Sequence, residues 1–184
     1  HCGLSGEVPV VMGTCSKALG SLGGFIAGSR LLCNYLRQRA RTFFFDTALP
    51  PPVLAATLTA VDIIEQEPQH GLRVLALAQR VYQRLAELGF SVLPPSGAIV
   101  AVLFGPSAAA MDVAAALRSR GVLAMAVRPP TVPEGTARIR LCLMASHTDE
   151  HIERLLASFA ALPPSLRRAA DCQGMRQVAP NACV

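Results

Sequence analysis

Lys17 stands apart from the other basic residues of this chain. Of the 17 basic residues among 184, 16 are arginine, and Lys17 is the only lysine. A guanidinium stays charged at every physiological pH, whereas a lysine amine can lose its proton and bond to a carbonyl carbon. The exception predicts amine chemistry at Lys17. The alternative is a surface lysine that survives by chance in an arginine-rich composition.

The segment around Lys17 offers hydroxyl groups that suit a phosphate. It reads GTCSKALGSLGG over residues 13–24, so that Thr14 and Ser16 precede the lysine and glycines follow it. It does not match the phosphate loop GxxxxGK[ST], because Ser16 and Ala18 flank Lys17, and it lacks the GxGxxG pattern of dinucleotide sites. What remains is a lysine beside two hydroxyl donors that can contact a phosphate.

Three motifs resemble those of the α-oxoamine synthases, a family of pyridoxal-phosphate enzymes. In chain order they are TCSKALG at 14–20 with Gly23 and Gly24, FDTALPP at 45–51, and RPPTVP at 128–133 followed by GTARIR at 135–140. The resemblance implies a fold-type I α/β transferase of which this chain is the carboxyl-terminal half. Residues 1–70 would end the large cofactor-binding domain, 71–162 would form the small α+β domain, and 163–184 would be a disordered tail.

The resemblance also implies roles for individual residues. Lys17 would hold pyridoxal 5'-phosphate covalently and then act as the base that removes the α-proton of an amino acid. Thr14 and Ser16 would contact the phosphate of the cofactor. Thr131 would touch the substrate, and Arg140 would bind the substrate carboxylate through two parallel hydrogen bonds. No metal is implied.

Some of these assignments keep alternatives when the residues alone are considered. Arg138 and Arg140 fall on the same face of a strand by its period of two, so spacing does not choose between them. Thr131 lies between prolines, where a threonine that only shapes a turn is the alternative.

By the same resemblance, Thr47 would reach the phosphate of the other subunit across a homodimer interface. Asp46 departs from the family, which usually has serine at this place. A carboxylate beside a phosphate dianion is repelled unless it points elsewhere, so Asp46 is expected to alter activity.

The implied reaction joins an amino acid to an acyl-CoA with loss of carbon dioxide. The RPPTVP segment favours the branch of the family that joins L-alanine to pimeloyl-CoA, or to the acyl-carrier-protein thioester, for biotin synthesis. Glycine with acetyl-CoA, glycine with succinyl-CoA and serine with a long acyl-CoA are the alternatives within the family. A non-catalytic subunit or remnant that pairs with a full-length homologue is the alternative outside it. Because other cofactor contacts of the family would precede His1, we expect the chain alone to be inactive.

A second pattern suggests metal binding and is interpreted otherwise. His147, Glu150 and His151 have the HxxEH spacing of inverted zinc proteases. Ser146 and Asp149 have the spacing of a helix capping box, and acidic residues suit the first turn of a helix. We therefore predict a helix start here and no metal site.

The elements that must position these residues follow from hydrophobic periodicity, which predicts a layered α/β architecture. Strands are predicted at 8–13, 25–28, 42–45, 91–93, 98–104, 122–127 and 137–144. The first two are expected to be buried, and the first is expected to be parallel. Helices are predicted after a capping Ser29 and at about 53–66, 71–88, 108–118 and 148–161.

Composition excludes several classes of protein. The chain is 52% hydrophobic, but charged residues or prolines interrupt every apolar run before the roughly 18 residues of a membrane helix. Its opening has no pattern of a secretory signal. Six scattered cysteines without a CxxC pair predict reduced thiols and a cytoplasmic location. A net charge of +5 spread over arginines, with few aromatic residues, argues against a nucleic-acid partner.

Overall fold

The computed structural model describes Gly3, Leu4 and residues 6–167, and the chain divides into two compact units between Pro68 and Gln69. The first unit contains β1 (Val10–Thr14), β2 (Gly24–Gly28), α1 (Arg30–Arg39), α2 (Arg41–Phe44) and α3 (Pro51–Gln66). The second contains α4 (Gln69–Glu87), β3 (Val92–Leu93), β4 (Ile99–Gly105), α5 (Ser107–Arg118), β5 (Met125–Val127), β6 (Ala137–Cys142), α6 (Asp149–Ala160) and α7 (Pro164–Arg167). The α/β class predicted from the sequence is confirmed.

The first unit holds a two-stranded antiparallel sheet. β1 pairs with β2 from Val10 opposite Gly28 to Thr14 opposite Gly24. The prediction of a buried parallel strand at 8–13 was wrong, because β1 pairs with the next strand along the chain, which returns through a short loop. No residue of β1 or β2 is buried, and Met12 is 76% exposed. An apolar run indicates that a strand can be buried, but it does not show which other residues cover the strand.

The helices of the first unit begin where local chemistry places them. The Ser29 hydroxyl accepts a hydrogen bond from the Leu32 N–H at 3.2 Å, which confirms the predicted cap of α1. α3 begins at Pro51, since proline at the first helical positions has no N–H to leave unpaired. The predicted strand at 42–45 is wrong. These residues lie in the helical turn α2 and its end, where the Phe45 N–H bonds to the Arg41 carbonyl.

The second unit is built on a four-stranded antiparallel sheet in the order β3-β4-β6-β5. Its core lies on one face, where α4 and α5 pack against the strands and α6 packs against α4. Alternate strand residues are fully buried there: Val100, Val102, Phe104, Ala137 and Ile139. Because side chains alternate along a strand, Arg138 and Arg140 of β6 lie on the other face, opposite the core.

The amino end of α6 explains the HxxEH pattern. Its cap is Thr148 and not the predicted Ser146: the Thr148 hydroxyl accepts from the His151 N–H, and His151 Nδ1 accepts from the Thr148 N–H at 3.2 Å. His147 Nδ1 accepts from the Met144 N–H, also at 3.2 Å. Both imidazoles therefore bind local backbone, and in the described part of the chain no group of three or more metal-binding side chains comes together.

The carboxyl-terminal segment begins with an ordered turn. Residues 164–167 form α7, and Leu166 packs against the core of the second unit. The rest of the tail predicted at 163–184 lies outside the described residues. Within the described ranges, none of the helices combines the length and the apolar character that a membrane crossing needs.

Candidate cofactor and substrate site

Lys17 lies in a closed loop between β1 and β2. The loop continues the strand pairing by one step, because the Cys15 N–H bonds to the Gly23 carbonyl at 2.9 Å. The Ser21 N–H then bonds back to the Cys15 carbonyl, also at 2.9 Å. Residues 16–20 form the tip of the loop, and the Gly20 N–H closes a turn on the Lys17 carbonyl at 3.0 Å. The backbone of Lys17 is therefore held two residues beyond a hydrogen-bonded neck.

The side chains of this loop include a free amine and a pair of hydroxyls. Thr14 Oγ1 and Ser16 Oγ are 2.7 Å apart, and both residues are exposed. The Ser16 N–H donates to Thr14 Oγ1 at 3.3 Å, which holds the pair together. Lys17 is exposed, and its amine forms no hydrogen bond or ion pair with any residue that the structure describes. The three predicted residues thus lie on one loop.

Glycines allow other segments to approach the neck of the loop closely. A Cβ on Gly24 would lie 2.8 Å from the Gly13 carbonyl oxygen of the paired strand. Gly23 has a φ of +97°, and a Cβ there would lie 2.7 Å from Leu49 Cδ1. Leu49 therefore packs on the neck and brings the segment that contains Thr47 against the Lys17 loop.

Asp46 and Thr47 lie in this second segment. Both are exposed, and the Thr47 N–H donates to Asp46 Oδ1 at 2.8 Å. The Asp46 carboxylate thus accepts a hydrogen bond from its neighbour's backbone. The Thr47 hydroxyl has no hydrogen bond to the described residues. A carboxylate and a free hydroxyl therefore stand side by side on the surface.

In the second unit, Thr131 and Arg140 line one concavity of about 470 Å³. Its other lining residues are Met125, Ala126, Val127, Arg128, Pro129 and Pro130. Thr131 is held in a turn by a hydrogen bond from its N–H to the Arg128 carbonyl at 3.1 Å. Two guanidinium groups and no carboxylate line this concavity, so its charge suits an anionic group.

Arg138 and Arg140, which spacing left equivalent, have different surroundings. The Arg138 guanidinium donates to the Thr136 carbonyl at 3.0 Å and to the Thr136 hydroxyl at 3.1 Å. Arg138 is half-buried, and this desolvation lowers the pKa of its guanidinium. Arg140 is exposed and bonds to none of the described residues. Of these two residues only Arg140 lines the concavity, and its guanidinium donors are unpaired among the described residues.

A larger concavity of the second unit, of about 530 Å³, includes His147, His151 and Arg154 but none of the predicted site residues. Two half-buried hydroxyl residues in the first unit, Ser21 and Thr57, were missed by the sequence analysis although they bond to each other beside the Lys17 loop. The only signal for Ser21 was its place between Gly20 and Gly23, and nothing in the sequence singled out Thr57.

Known proteins match a stretch of this chain that includes all the predicted site residues. The model of the aminotransferase class I and II family matches residues 1–159. The 8-amino-7-oxononanoate synthase of Anaeromyxobacter dehalogenans (strain 2CP-C) is 45% identical over 164 residues, which are 89% of this chain and 41% of that protein. The enzyme of the same name from Methylococcus capsulatus is 43% identical over 89% of this chain and 43% of its own length. The chain thus spans about two fifths of these curated relatives.

Solved structures agree on the fold. Sphingomonas wittichii serine palmitoyltransferase gives a TM-score of 0.80 at 29% identity, covering 91% of this chain and 42% of that one. A structure of SPT with its PLP internal aldimine gives 0.82 at 29% identity over the same shares. The 8-amino-7-oxononanoate synthase of Francisella tularensis gives 0.71 at 20% identity, covering 82% of this chain and 44% of that one, which is a likeness of fold alone.

Proposed function

Because this chain belongs to the aminotransferase class I and II family, we propose that it carries the lysine and the carboxylate-binding arginine of a pyridoxal-phosphate enzyme. The enzyme condenses an amino acid with an acyl thioester and releases carbon dioxide. The observation that carries the proposal is that the hydroxyls of Thr14 and Ser16, 2.7 Å apart, share one loop with the unpaired amine of Lys17. A hydrogen-bonded neck closes this loop.

The residues of this loop fit the cofactor. The Lys17 amine is free to bond to an aldehyde carbon, and the hydroxyls of Thr14 and Ser16 can donate to phosphate oxygens. When bound, pyridoxal phosphate supplies an electron sink for the α-carbon of an amino acid. Lys17 would hold the cofactor through Nζ, and the same nitrogen, when free, would accept the proton from that α-carbon. The same amine therefore holds the cofactor and moves the proton.

Arg140 is assigned to the carboxylate of the amino acid. Its donors are unpaired, and it shares the concavity of the second unit with Thr131. A guanidinium presents two parallel N–H groups to a carboxylate and so fixes its orientation as well as its charge. Thr131, which lines the same concavity, is assigned a hydrogen bond from its hydroxyl to the same substrate.

The curated relatives favour one pair of substrates. Both relatives described above are 8-amino-7-oxononanoate synthases, and this name supports L-alanine with pimeloyl-CoA or pimeloyl-acyl-carrier protein, on the route to biotin. The serine palmitoyltransferase structures keep serine with a long acyl-CoA as the second candidate. Glycine with acetyl-CoA or with succinyl-CoA is a further candidate pair, since the same chemistry applies to this smaller amino acid.

The first unit exposes large apolar side chains that a working enzyme would cover. They include Val10, Val11, Met12, Leu54, Leu58, Val61 and Ile64. Exposed large apolar side chains in this number indicate a contact with other protein. We infer that segments corresponding to the remaining length of the relatives, together with a second subunit of a cytoplasmic homodimer, cover it. Thr47 then reaches the cofactor phosphate of the partner, and the chain alone stays inactive.

The proposed reaction is tested by completing the chain with the upstream part of its relative. The segment of the Anaeromyxobacter dehalogenans synthase that precedes the matched region is fused before residue 1, and the chimera is assayed with three substrate pairs. Alanine with pimeloyl-CoA is expected to give 8-amino-7-oxononanoate faster than glycine with acetyl-CoA or serine with palmitoyl-CoA gives product. A preference for either other pair would refute the substrate assignment. A folded chimera that binds pyridoxal phosphate without turning over any pair would favour the non-catalytic alternative.

Asp46→Asn is expected to strengthen binding of pyridoxal phosphate to the chimera about three- to five-fold, because it removes a negative charge next to Thr47. The amide oxygen of asparagine can still accept from the Thr47 N–H, so the local geometry is kept. Asp62→Asn, an equal change of charge at another exposed position, is the control. The dissociation constant is measured by absorbance at low and high salt, and the gain should shrink as salt screens the charge. Equal affinities for the parent and Asp46→Asn at low salt would show that the carboxylate does not face the phosphate.

A further inference from the structure

A network of hydroxyl groups joins the Lys17 loop to helix α3. The Ser21 hydroxyl donates to the Val53 carbonyl at 3.2 Å. Thr57 Oγ1 lies 2.8 Å from Ser21 Oγ and 2.9 Å from the Val53 carbonyl oxygen. When Thr57 donates to Ser21 and Ser21 donates to Val53, each hydroxyl proton has an acceptor. The three residues thus form a closed network across 36 positions of sequence.

This network lies at the best-covered positions of α3. Val53, Thr57 and Ala60 are half-buried, while the positions between them are exposed. Their spacing of four and three residues places them on one face of the helix, which is the face toward the loop. A hydroxyl that bonds across this contact is shielded from competition by water, so its removal leaves a partner unsatisfied.

From Ser21 the chain of contacts leads to Lys17 in two steps. The Ser21 N–H holds the Cys15 carbonyl, which fixes the neck of the loop. Gly20, the residue before Ser21, donates its N–H to the Lys17 carbonyl. A shift of Ser21 relative to α3 therefore moves both ends of the turn that carries the amine.

We propose that Ser21 and Thr57 are positioning residues that hold the Lys17 loop on helix α3, so that the amine and the Thr14–Ser16 hydroxyl pair meet the same molecule of pyridoxal phosphate. The inference rests on the proposed function of Lys17. The role assigned to Ser21 and Thr57 requires no contact with the cofactor. Their effect is on the geometry with which Lys17 presents its amine.

Helix α3 supplies a matched control. Thr59, two residues from Thr57, donates its hydroxyl to the Ala55 carbonyl at 3.1 Å, the same bond to the preceding turn that Thr57 makes to Val53. Thr59 is exposed and has no partner in the Lys17 loop among the described residues. Both Thr57→Val and Thr59→Val remove a threonine hydroxyl that lies within hydrogen-bonding distance of the carbonyl one turn earlier, and only Thr57→Val also removes the contact with Ser21.

The experiment compares the 184-residue chain with its variants Thr57→Val, Thr57→Ser, Ser21→Ala, Thr59→Val and the double variant Ser21→Ala/Thr57→Val. Each is incubated with increasing pyridoxal phosphate and reduced with borohydride, and the label on the Lys17 peptide is quantified by mass spectrometry. Hydrogen exchange of the peptide spanning 15–21 is measured without cofactor, and thermal unfolding is recorded for all. Thr57→Val and Ser21→Ala are expected to raise the half-saturating cofactor concentration roughly five- to thirty-fold and to speed exchange in 15–21.

The controls separate positioning from general stability. Thr57→Ser restores the hydroxyl and is expected to label like the parent chain. Thr59→Val, which keeps every contact of the Lys17 loop with α3, is also expected to label like the parent chain. The double variant is expected to be no worse than either single variant, since both remove one shared interaction. Equal labelling and equal exchange in Thr57→Val and Thr59→Val would overturn the inference.

The outcome also distinguishes this inference from the function on which it rests. If neither the parent chain nor the chimera shows saturable label at Lys17, the assignment of the cofactor to this loop fails. The exchange of 15–21 does not require the cofactor, so faster exchange in Thr57→Val alone would still support the attachment of the loop to α3. Unchanged exchange would count against that attachment regardless of the labelling.

Discussion

Borohydride reduction after incubation with pyridoxal phosphate is expected to leave a phosphopyridoxyl group on Lys17, and Lys17→Arg is expected to abolish this label entirely. The chain has no second lysine, so the amino terminus is the only other primary amine and is separated by peptide mapping. Arginine keeps the positive charge but cannot bond to the aldehyde carbon as a free amine. In the chimera the same substitution is expected to lower kcat by about 10³-fold or more, because both the covalent attachment and the proton transfer are lost.

An exposed lysine can react with aldehydes without a specific site, so the labelling needs a control for the phosphate. Pyridoxal, which lacks the phosphate, is the matched probe, since it has the same aldehyde but nothing for Thr14 and Ser16 to bind. Labelling by pyridoxal phosphate is expected to saturate at a much lower concentration than labelling by pyridoxal. Thr14→Val is expected to bring these two saturating concentrations closer together. Parallel, unsaturated labelling by both aldehydes would contradict a cofactor site at Lys17.

The resemblance to α-oxoamine synthases that three short motifs indicated is confirmed by the relatives. Composition contributed to it, because a lone lysine among 16 arginines is visible without any structure. Helix caps depend on nearby residues and were predictable in part. The predicted cap of α1, Ser29, is confirmed, whereas the cap of α6 is Thr148 and not the predicted Ser146. Both serine and threonine suit a cap, and sequence alone ranks such neighbours poorly.

Features that depend on distant residues could not be predicted. The run at 42–45 has β-prone side chains, but strand propensity is realised only when a neighbouring strand is available, and here the chain turns as a helix. The antiparallel direction of β1 follows from its pairing with β2, which an apolar run does not reveal. Ser21 and Thr57 are ordinary residues in sequence, and only the fold brings their oxygens within 2.8 Å.

The choice between Arg138 and Arg140 shows the same limit within a single strand. Their period of two places both on one face of β6, and the structure then separates them by their partners. Arg138 is bonded to Thr136, and Arg140 lines the concavity with Thr131 and bonds to nothing else that is described. Two residues of one type on one face thereby provide an internal control for the substrate-binding role.

Arg140→Ala in the chimera is expected to lower kcat/KM for alanine about 10²- to 10³-fold, and Arg140→Lys about 10-fold or more, since lysine keeps the charge without the two parallel N–H groups. Arg138→Lys is expected to change kcat/KM less than about three-fold, because its hydrogen bonds go to Thr136 and not to a ligand. Steady-state kinetics with varied alanine at saturating acyl thioester measure both. An equal loss in the Arg138 and Arg140 variants would point to damage of β6 instead of a lost contact.

A substrate without the carboxylate decides whether Arg140 acts through that group. Ethylamine has the amine and methyl group of alanine but no carboxylate, so the parent chimera should bind alanine far more tightly, as read from the change in cofactor absorbance on binding. If Arg140 supplies the two hydrogen bonds, Arg140→Ala removes most of this preference while leaving the affinity for ethylamine nearly unchanged. A preference for alanine that survives in Arg140→Ala would assign the carboxylate to another cation, and Arg128, which lines the same concavity, would be the next to replace. Because Lys17 attachment does not depend on the carboxylate, the Arg140 variants should still label fully with borohydride, so that loss of substrate binding and loss of cofactor binding are read separately.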